Sequence, residues 1–377
     1  MFSLVPLRLM ARKIETDSEE IIWDNTLPSS ISLCRPIKLL FAKESTELTK
    51  KEVELMNNQI RNLNPTLCQL GDVNVSVEPV MIFSMVDTKV VNDVTDTYSQ
   101  ACYVCGRSGK RLNDARSNVD SDDPTKYKFG MSPLHAYMRS MELLLKISFR
   151  YIFYNYYAKQ FDKFSNFDFR LVMEKPTWRV SKQNTKVKER ETEILTQLKE
   201  ELGLRINEPR PGGGNSNDGN TSRKFFQNWE LVARITGLDD NLLQRFYTIL
   251  CVINSKRAAN IEAFQKYADE THKLYVQLYK WYPLSPTVHK ILVHGATIMK
   301  HLILPIGMCS EEVQETRNKC LRKYRERHAR KFSRIVNIED VFNRLMLTSD
   351  PVISLSNRAP KAENVTYPES VKSLLVE

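Results

Sequence analysis

The sequence predicts an α+β protein that is mostly helical, and three observations predict it. Strand-like apolar runs are confined to the first part of the chain. Helical periodicity takes over after Ser132-Pro133. No internal repeat is present. RPIKLLF, from Arg35, reads as a strand. Thr49 then opens a helix in the Thr-x-x-Glu manner with Glu52, placing Val53, Met56 and Ile60 on one face. A strand from Val80 to Val86 follows and Asp87 ends it, after which TKVVNDVTDTY reads as a turn and a short helix. GRSGKRLNDARSNVDSDDP is polar and turn-rich, the composition of a loop.

Beyond Pro133 the pattern is helical. Leu134 to Tyr157 and residues 186 to 204 show the period of about 3.6 residues, with Gly203 near the end of the second. PRPGGGNSNDGN breaks the series. Helices are then expected over 223–235, 239–256, 258–280, 286–304 and 310–334, a short one from Ile338 to Leu347, and a loosely ordered tail after Pro351. The expected organisation is a mixed part with a Cys knuckle (1–130), a helical insertion (131–304), final helices (305–350) and the tail (351–377).

Composition excludes several classes. An apolar fraction of 42% over 377 residues is ample for a buried core. The longest apolar stretch, MELLLKISFRYIFYNYY, is interrupted by Glu142, Lys146 and Arg150, which reads as a core helix rather than a bilayer span. MFSLVPLRLMARK carries Arg8 and Arg12 where a secretory signal needs an apolar run. Seven cysteines with a single CxxC do not make a disulfide framework and suit a reducing compartment. GGGNSNDGNTSRKFF lacks the GK[ST] ending of a nucleotide-binding loop.

Charge is concentrated. Nine basic residues (Arg317, Lys319, Arg322, Lys323, Arg325, Arg327, Arg330, Lys331, Arg334) face only Glu315 and Glu326, so +7 of the net +10 lies in this one segment. Such a stripe is either a solvated helix face or the footprint of a phosphate-binding surface. On a helix Glu315, Lys319 and Arg322 share one face, and Leu321, Tyr324 and His328 lie on another suited to packing. Cys102-x2-Cys105 offers two thiolates on a tight turn, and His289-x4-His294 two imidazoles on or beside one helix. Either pair alone is more often incidental; together they could complete a tetrahedral site. Likewise a strand-end Asp is more often a turn residue, and a helical Glu more often a solvated one.

The order of these features resembles the catalytic core of Transib-type DNA transposases and of the related catalytic subunit of the antigen-receptor gene recombinase. The residues that carry the resemblance are SMVDTKV around Asp87, CYVC, TVHKILVH, and ETRNK with its basic continuation. It covers about residues 3 to 353. It implies a ribonuclease-H-like core of the retroviral-integrase type, truncated here, with a large helical insertion. It implies a structural Zn²⁺ on Cys102, Cys105, His289 and His294, and catalytic Asp87 and Glu315 for Mg²⁺ or Mn²⁺, with Glu311 and Glu312 as rival positions for the glutamate. In the intact family a metal pair activates water and then a 3′-hydroxyl for nicking and strand transfer. DGNTSRKF resembles the family's GN-x-x-RK segment, making Arg223 and Lys224 phosphate contacts alongside Arg317, Lys319, Arg322, Lys323 and Arg325. The implied partner is double-stranded DNA at transposon ends, bound by a homodimer in the nucleus.

Two departures qualify the implication. The family's first catalytic aspartate would lie ahead of SLVPLRL, where this sequence starts, so the expectation is a polypeptide without that ligand and catalytically incomplete. Residues 151–182 fit the pattern poorly, as an inserted aromatic segment or as translated non-coding sequence. The alternative to a transposase fragment is a domesticated, non-catalytic DNA- or partner-binding protein.

Overall fold

A computed structural model describes residues 1–13, 17–82, 86–115, 123–161, 185–209, 216–356 and 366–376. It is mostly helical, with small antiparallel sheets. The chain divides into two compact units: one of Met1–Asp96, Lys128–Ser132 and Gly307–Thr366, the other of Thr97–Tyr127, Pro133–Ile306 and Tyr367–Glu377. Cys102 and Cys105 therefore belong to the same unit as the histidine pair, which differs from the expected boundary at residue 130.

Among the described residues the first unit holds six strands: β1 (Phe2–Leu4), β2 (Arg8–Lys13), β3 (Ser18–Asp24), β4 (Arg35–Lys38), β5 (Thr66–Leu70) and β6 (Val73–Val77). Among the described residues they pair only in twos, all antiparallel: β1 with β4, β2 with β3, β5 with β6. The expected strand over 80–86 is not found: Val80 to Ile82 carry no strand, and residues 83–85 lie outside the described set. The helix expected at Thr49 begins a turn earlier, as Thr46–Arg61, because Ser45 caps it by accepting from the Leu48 N–H at 3.2 Å. Glu52 is thereby freed from a capping role; it is buried and accepts from Lys38 Nζ at 2.5 Å, tying the helix to β4, while Val53 and Met56 are buried beside it as expected.

The helix expected over 310–334 ends at Arg327 and the next, expected from Ile338, begins at Arg334, so the two are Glu312–Arg327 and Arg334–Leu347 and the end of the basic segment is a turn. Ser333 starts the second by accepting from Val336 N–H, and Asp340 accepts from Arg330 Nε at 3.0 Å and Nη2 at 2.8 Å, which fastens the turn between them. The buried positions of the first are Val313 and Arg317, whereas Leu321 and Tyr324 are half-buried and His328 is exposed.

The second unit is helical. Pro133–Phe161 packs against Thr185–Leu202, Gly219–Gln227, Asp240–Asn254 and Pro286–His289. Met141, Leu144, Ile147, Ile194, Leu198, Phe225, Phe226 and Phe246 are its large fully buried side chains on these helices. Gly219 permits one of these approaches, since a Cβ there would stand 2.5 Å from Leu134 Cδ1. The turn-rich stretch after Cys105 is partly built: Gly109–Asn113 forms a 3₁₀ helix with Leu112 and Asn113 buried. Asn113 Nδ2 donates to the carbonyls of Lys280 (3.2 Å) and Tyr282 (3.1 Å), and its Oδ1 accepts from Leu284 N–H. The last part of the expected loose tail is packed. Val371, Leu374 and Leu375 are buried, and Asn260 N–H donates to the Leu374 carbonyl at 2.9 Å. Of the stretch 151–182, residues 162–182 lie outside the described residues. No single helix among the described residues is long and apolar enough to cross a membrane.

Candidate metal centre and basic helix

The first half of the metal centre is a knuckle made by local sequence. In CYVCG the chain doubles back: Cys102 N–H donates to the Arg107 carbonyl at 2.9 Å, and Gly106 N–H to the Cys102 carbonyl at 2.7 Å. Gly106 takes the left-handed conformation (φ +71°) that a side chain would strain. Both thiols thus point to one side of a single turn, with Cys102 buried and Cys105 half-buried.

The second half comes from a helix that changes its winding. Pro286–His289 is α-helical with Pro at its start, Lys290–His294 is a π turn, and Gly295–His301 is α-helical again. In a regular α-helix, residues five apart point about 140° away from each other. A π turn, with its i→i+5 hydrogen bonds, stacks them. His289 and His294 are 0% and 1% exposed, their ring centroids 5.2 Å apart. The sequence spacing alone did not reveal this device.

The ligand atoms of Cys102, Cys105, His289 and His294 all lie within 4.8 Å of one another, close enough to hold a metal ion. His289 fits a ligand role in detail. Its Nδ1 donates to the Leu112 carbonyl at 2.7 Å, which fixes the tautomer and leaves the Nε2 lone pair facing Cys105 Sγ at 3.5 Å. A tetrahedral ion about 2.3 Å from sulfur and about 2.0 Å from nitrogen separates the two by about 3.5 Å. Two thiolates and two imidazoles are the donor set of a closed structural zinc site.

Electrostatics favour a thiolate here. The Cys102 thiol is lowered to about 7, chiefly by its hydrogen bond with Cys105, helped by the Cys105 and Val104 N–H groups and the Lys290 charge, against burial. Cys105 is raised, first by that same hydrogen bond and then by burial, with His289 and His294 opposing. Lys290 is itself buried, its ammonium 4.1 Å from the centroid of the Tyr103 ring. The knuckle and the histidine helix therefore also touch beyond the four ligands.

The other expected site residues divide. Asp87 is exposed and caps helix Thr88–Val94, accepting from Lys89 N–H at 3.1 Å. Glu315 is exposed on the first turn of Glu312–Arg327. Glu311, its rival, is buried and accepts from the Ser132 hydroxyl; Glu312 is half-buried. Among the described residues, the one group of three or more potential ligands that close is the Cys/His set, so no carboxylate cluster forms around Asp87 or Glu315 there.

Of the expected phosphate contacts, Arg317 is corrected. It is 0% exposed, and its guanidinium donates to the carbonyls of Cys34 (2.9 Å), Ile31 (2.9 Å) and Leu345 (3.3 Å) and to Thr348 Oγ1 (2.8 Å). Cys34, Leu345 and Thr348 lie at the C-terminal ends of the 3₁₀ helix Ile31–Leu33 and of Arg334–Leu347, where the helix dipole is negative; the Ile31 carbonyl also accepts from the Cys34 N–H, and the Leu345 carbonyl from the Thr348 and Ser349 hydroxyls. Lys319, Arg322, Lys323 and Arg325 are exposed. Lys224 is exposed, whereas Arg223 is half-buried, its guanidinium 5.4 Å from the Tyr137 ring centroid. Both sit in the second turn of Gly219–Gln227, whose N-terminus is already capped by Asp218.

Compared with protein-family models and with curated protein sequences, the chain matches none.

Proposed function

We propose that the chain is a Transib-like transposase polypeptide, held together by a structural zinc ion, which binds duplex DNA. The observation that carries the reading is the meeting of Cys102 and Cys105 with His289 and His294. The two pairs lie far apart in sequence, in the order the resemblance names, yet all four ligand atoms fall within 4.8 Å. The ribonuclease-H-like class of the first unit rests on the motifs around Asp87 and Glu315, which belong to that one unit.

DNA binding is supported by electrostatics. With Arg317 buried, eight exposed basic residues remain between Lys319 and Arg334, and only Arg330 among them pairs with a described carboxylate. Phosphate contacts of this kind position a protein on a duplex without reading its sequence. In the intact family the partner is a pair of transposon ends gripped by a homodimer in the nucleus, and Mg²⁺ or Mn²⁺ supplies the chemistry. Among the described residues no group of converging carboxylates includes Asp87 or Glu315, and a two-metal site needs several. This last point favours a second reading, a domesticated DNA- or partner-binding protein without catalysis.

Fluorescence anisotropy against duplex DNA at several salt concentrations tests the reading. With about five side chains on phosphates, log K should fall against log[salt] with a slope of about −4 to −5. Arg322→Ala, Lys323→Ala and Arg325→Ala together should flatten it by up to about three and weaken all sequences alike. Unchanged affinity and slope in the triple variant would mean that the stripe serves solubility.

A further inference from the structure

Two exposed phenyl rings accompany the basic residues, Phe41 by contact and Phe332 by its place in the chain between Lys331 and Arg334. Phe41, after β4, is 55% exposed, and the guanidinium carbons of Arg334 and Arg325 stand 4.9 Å and 5.8 Å from its ring centroid. Phe332, in the turn between Glu312–Arg327 and Arg334–Leu347, is 89% exposed, the highest value among the exposed large apolar side chains of the described residues. That turn is not slack, since Arg330 holds Asp340 through three hydrogen bonds and Asn337 Nδ2 donates to the Arg330 carbonyl at 2.9 Å.

The surroundings identify the kind of partner. Exposed apolar side chains on hairpins β2–β3 and β5–β6 are mostly aliphatic, and nothing shows what covers them. Around Phe332 the neighbours in sequence are Arg330, Lys331 and Arg334, and Lys319, Arg322, Lys323 and Arg327 are exposed on the adjoining helix. A phosphate backbone explains the cations but has no use for phenyl rings. A duplex keeps its base faces stacked inward. Unpaired bases present both features at once, a phosphate track and π faces that stack on aromatic rings and guanidinium planes.

We propose that Phe41 and Phe332, with Arg325 and Arg334, form a stacking platform for unpaired DNA bases, so that the chain takes single-stranded or locally melted DNA on the surface that also contacts duplex phosphates. The proposal rests on the DNA-binding reading above and adds the ligand class to it. Guanidinium cover alone accounts for part of Phe41 and leaves Phe332 without a role.

The test uses the full zinc-loaded chain and fluorescence anisotropy with a homopyrimidine single strand and a duplex of equal length. Phe41→Leu with Phe332→Leu keeps apolar volume and removes both π faces. Stacking lost on substitution is worth about 1–3 kcal/mol per base, or about 5- to 150-fold. Single-strand affinity should therefore fall at least about tenfold, duplex affinity should stay within about twofold, and Phe41→Trp should retain single-strand binding. An unchanged single-strand affinity, or an equal loss on both ligands, overturns the platform. Wild-type chain that binds duplex but not single strand overturns the platform and leaves the DNA reading standing, whereas binding to neither removes both.

Discussion

His289 and His294 face each other at a ring-centroid distance of 5.2 Å because the five residues Lys290–His294 form a π turn in an otherwise α-helical segment. A π turn is rare and is retained mostly at functional positions, where the local geometry is fixed by what it presents. Here it presents two imidazoles to two thiols. Moving the second imidazole by one residue, with Val293→His and His294→Val, would give the spacing that suits a regular α-helix. In this backbone it should instead cost metal affinity at least about 100-fold, measured by competition with a colorimetric zinc chelator. Retained affinity would show that the π turn is incidental to the ligand set.

Arg317 should behave as a stability residue and not as a DNA contact. Its guanidinium makes four hydrogen bonds without a carboxylate partner, so Arg317→Met takes from the buried Cys34 carbonyl the donor it meets, while the Ile31 carbonyl keeps the Cys34 N–H and the Leu345 carbonyl keeps the Thr348 and Ser349 hydroxyls. A buried unsatisfied group costs about 1–3 kcal/mol, and the first unit should lose about that much in urea unfolding. Arg317→Lys should recover little, because an ammonium cannot reproduce the planar fork. DNA affinity of the folded fraction should not change.

Asp87 and Glu315 should not suffice for cleavage. Incubated with Mg²⁺ or Mn²⁺ and DNA carrying candidate transposon ends, the chain should make no specific nicks. Asp87→Ala should cost about 1 kcal/mol as a lost helix cap, and Asp87→Asn much less, since Asn caps as well as Asp. Specific nicks that disappear in Asp87→Asn or Glu315→Gln would restore a catalytic role to both.

Much of the helical framework was legible in periodicity and punctuation. Asp239 and Gly237 bracket helix boundaries close to where the pattern placed them, because caps and left-handed turns are local. The four residues that come close enough to hold a metal ion were legible as paired spacings. What was not legible depended on tertiary partners. Arg317 reads as one more positive charge in a basic run, and only the two helix ends that meet it turn it inward. Glu52 looks like half of a capping box until Lys38 claims it. The tail looks polar and loose because three apolar residues, Val371, Leu374 and Leu375, give no periodic signal on their own. The π turn has no sequence signature beyond the histidine spacing that it makes useful.

The most direct measurement is the metal content of the purified chain together with its thermal unfolding before and after chelation. One zinc per chain is expected, absent when Cys102→Ser is combined with His294→Ala. Removal of the ion should destabilise the whole second unit, because the binding energy of a structural zinc, about 10–16 kcal/mol in small zinc domains, is folding energy. A chain that carries no zinc, or whose zinc content is the same in the double variant, or whose unfolding is indifferent to chelation, would contradict the account.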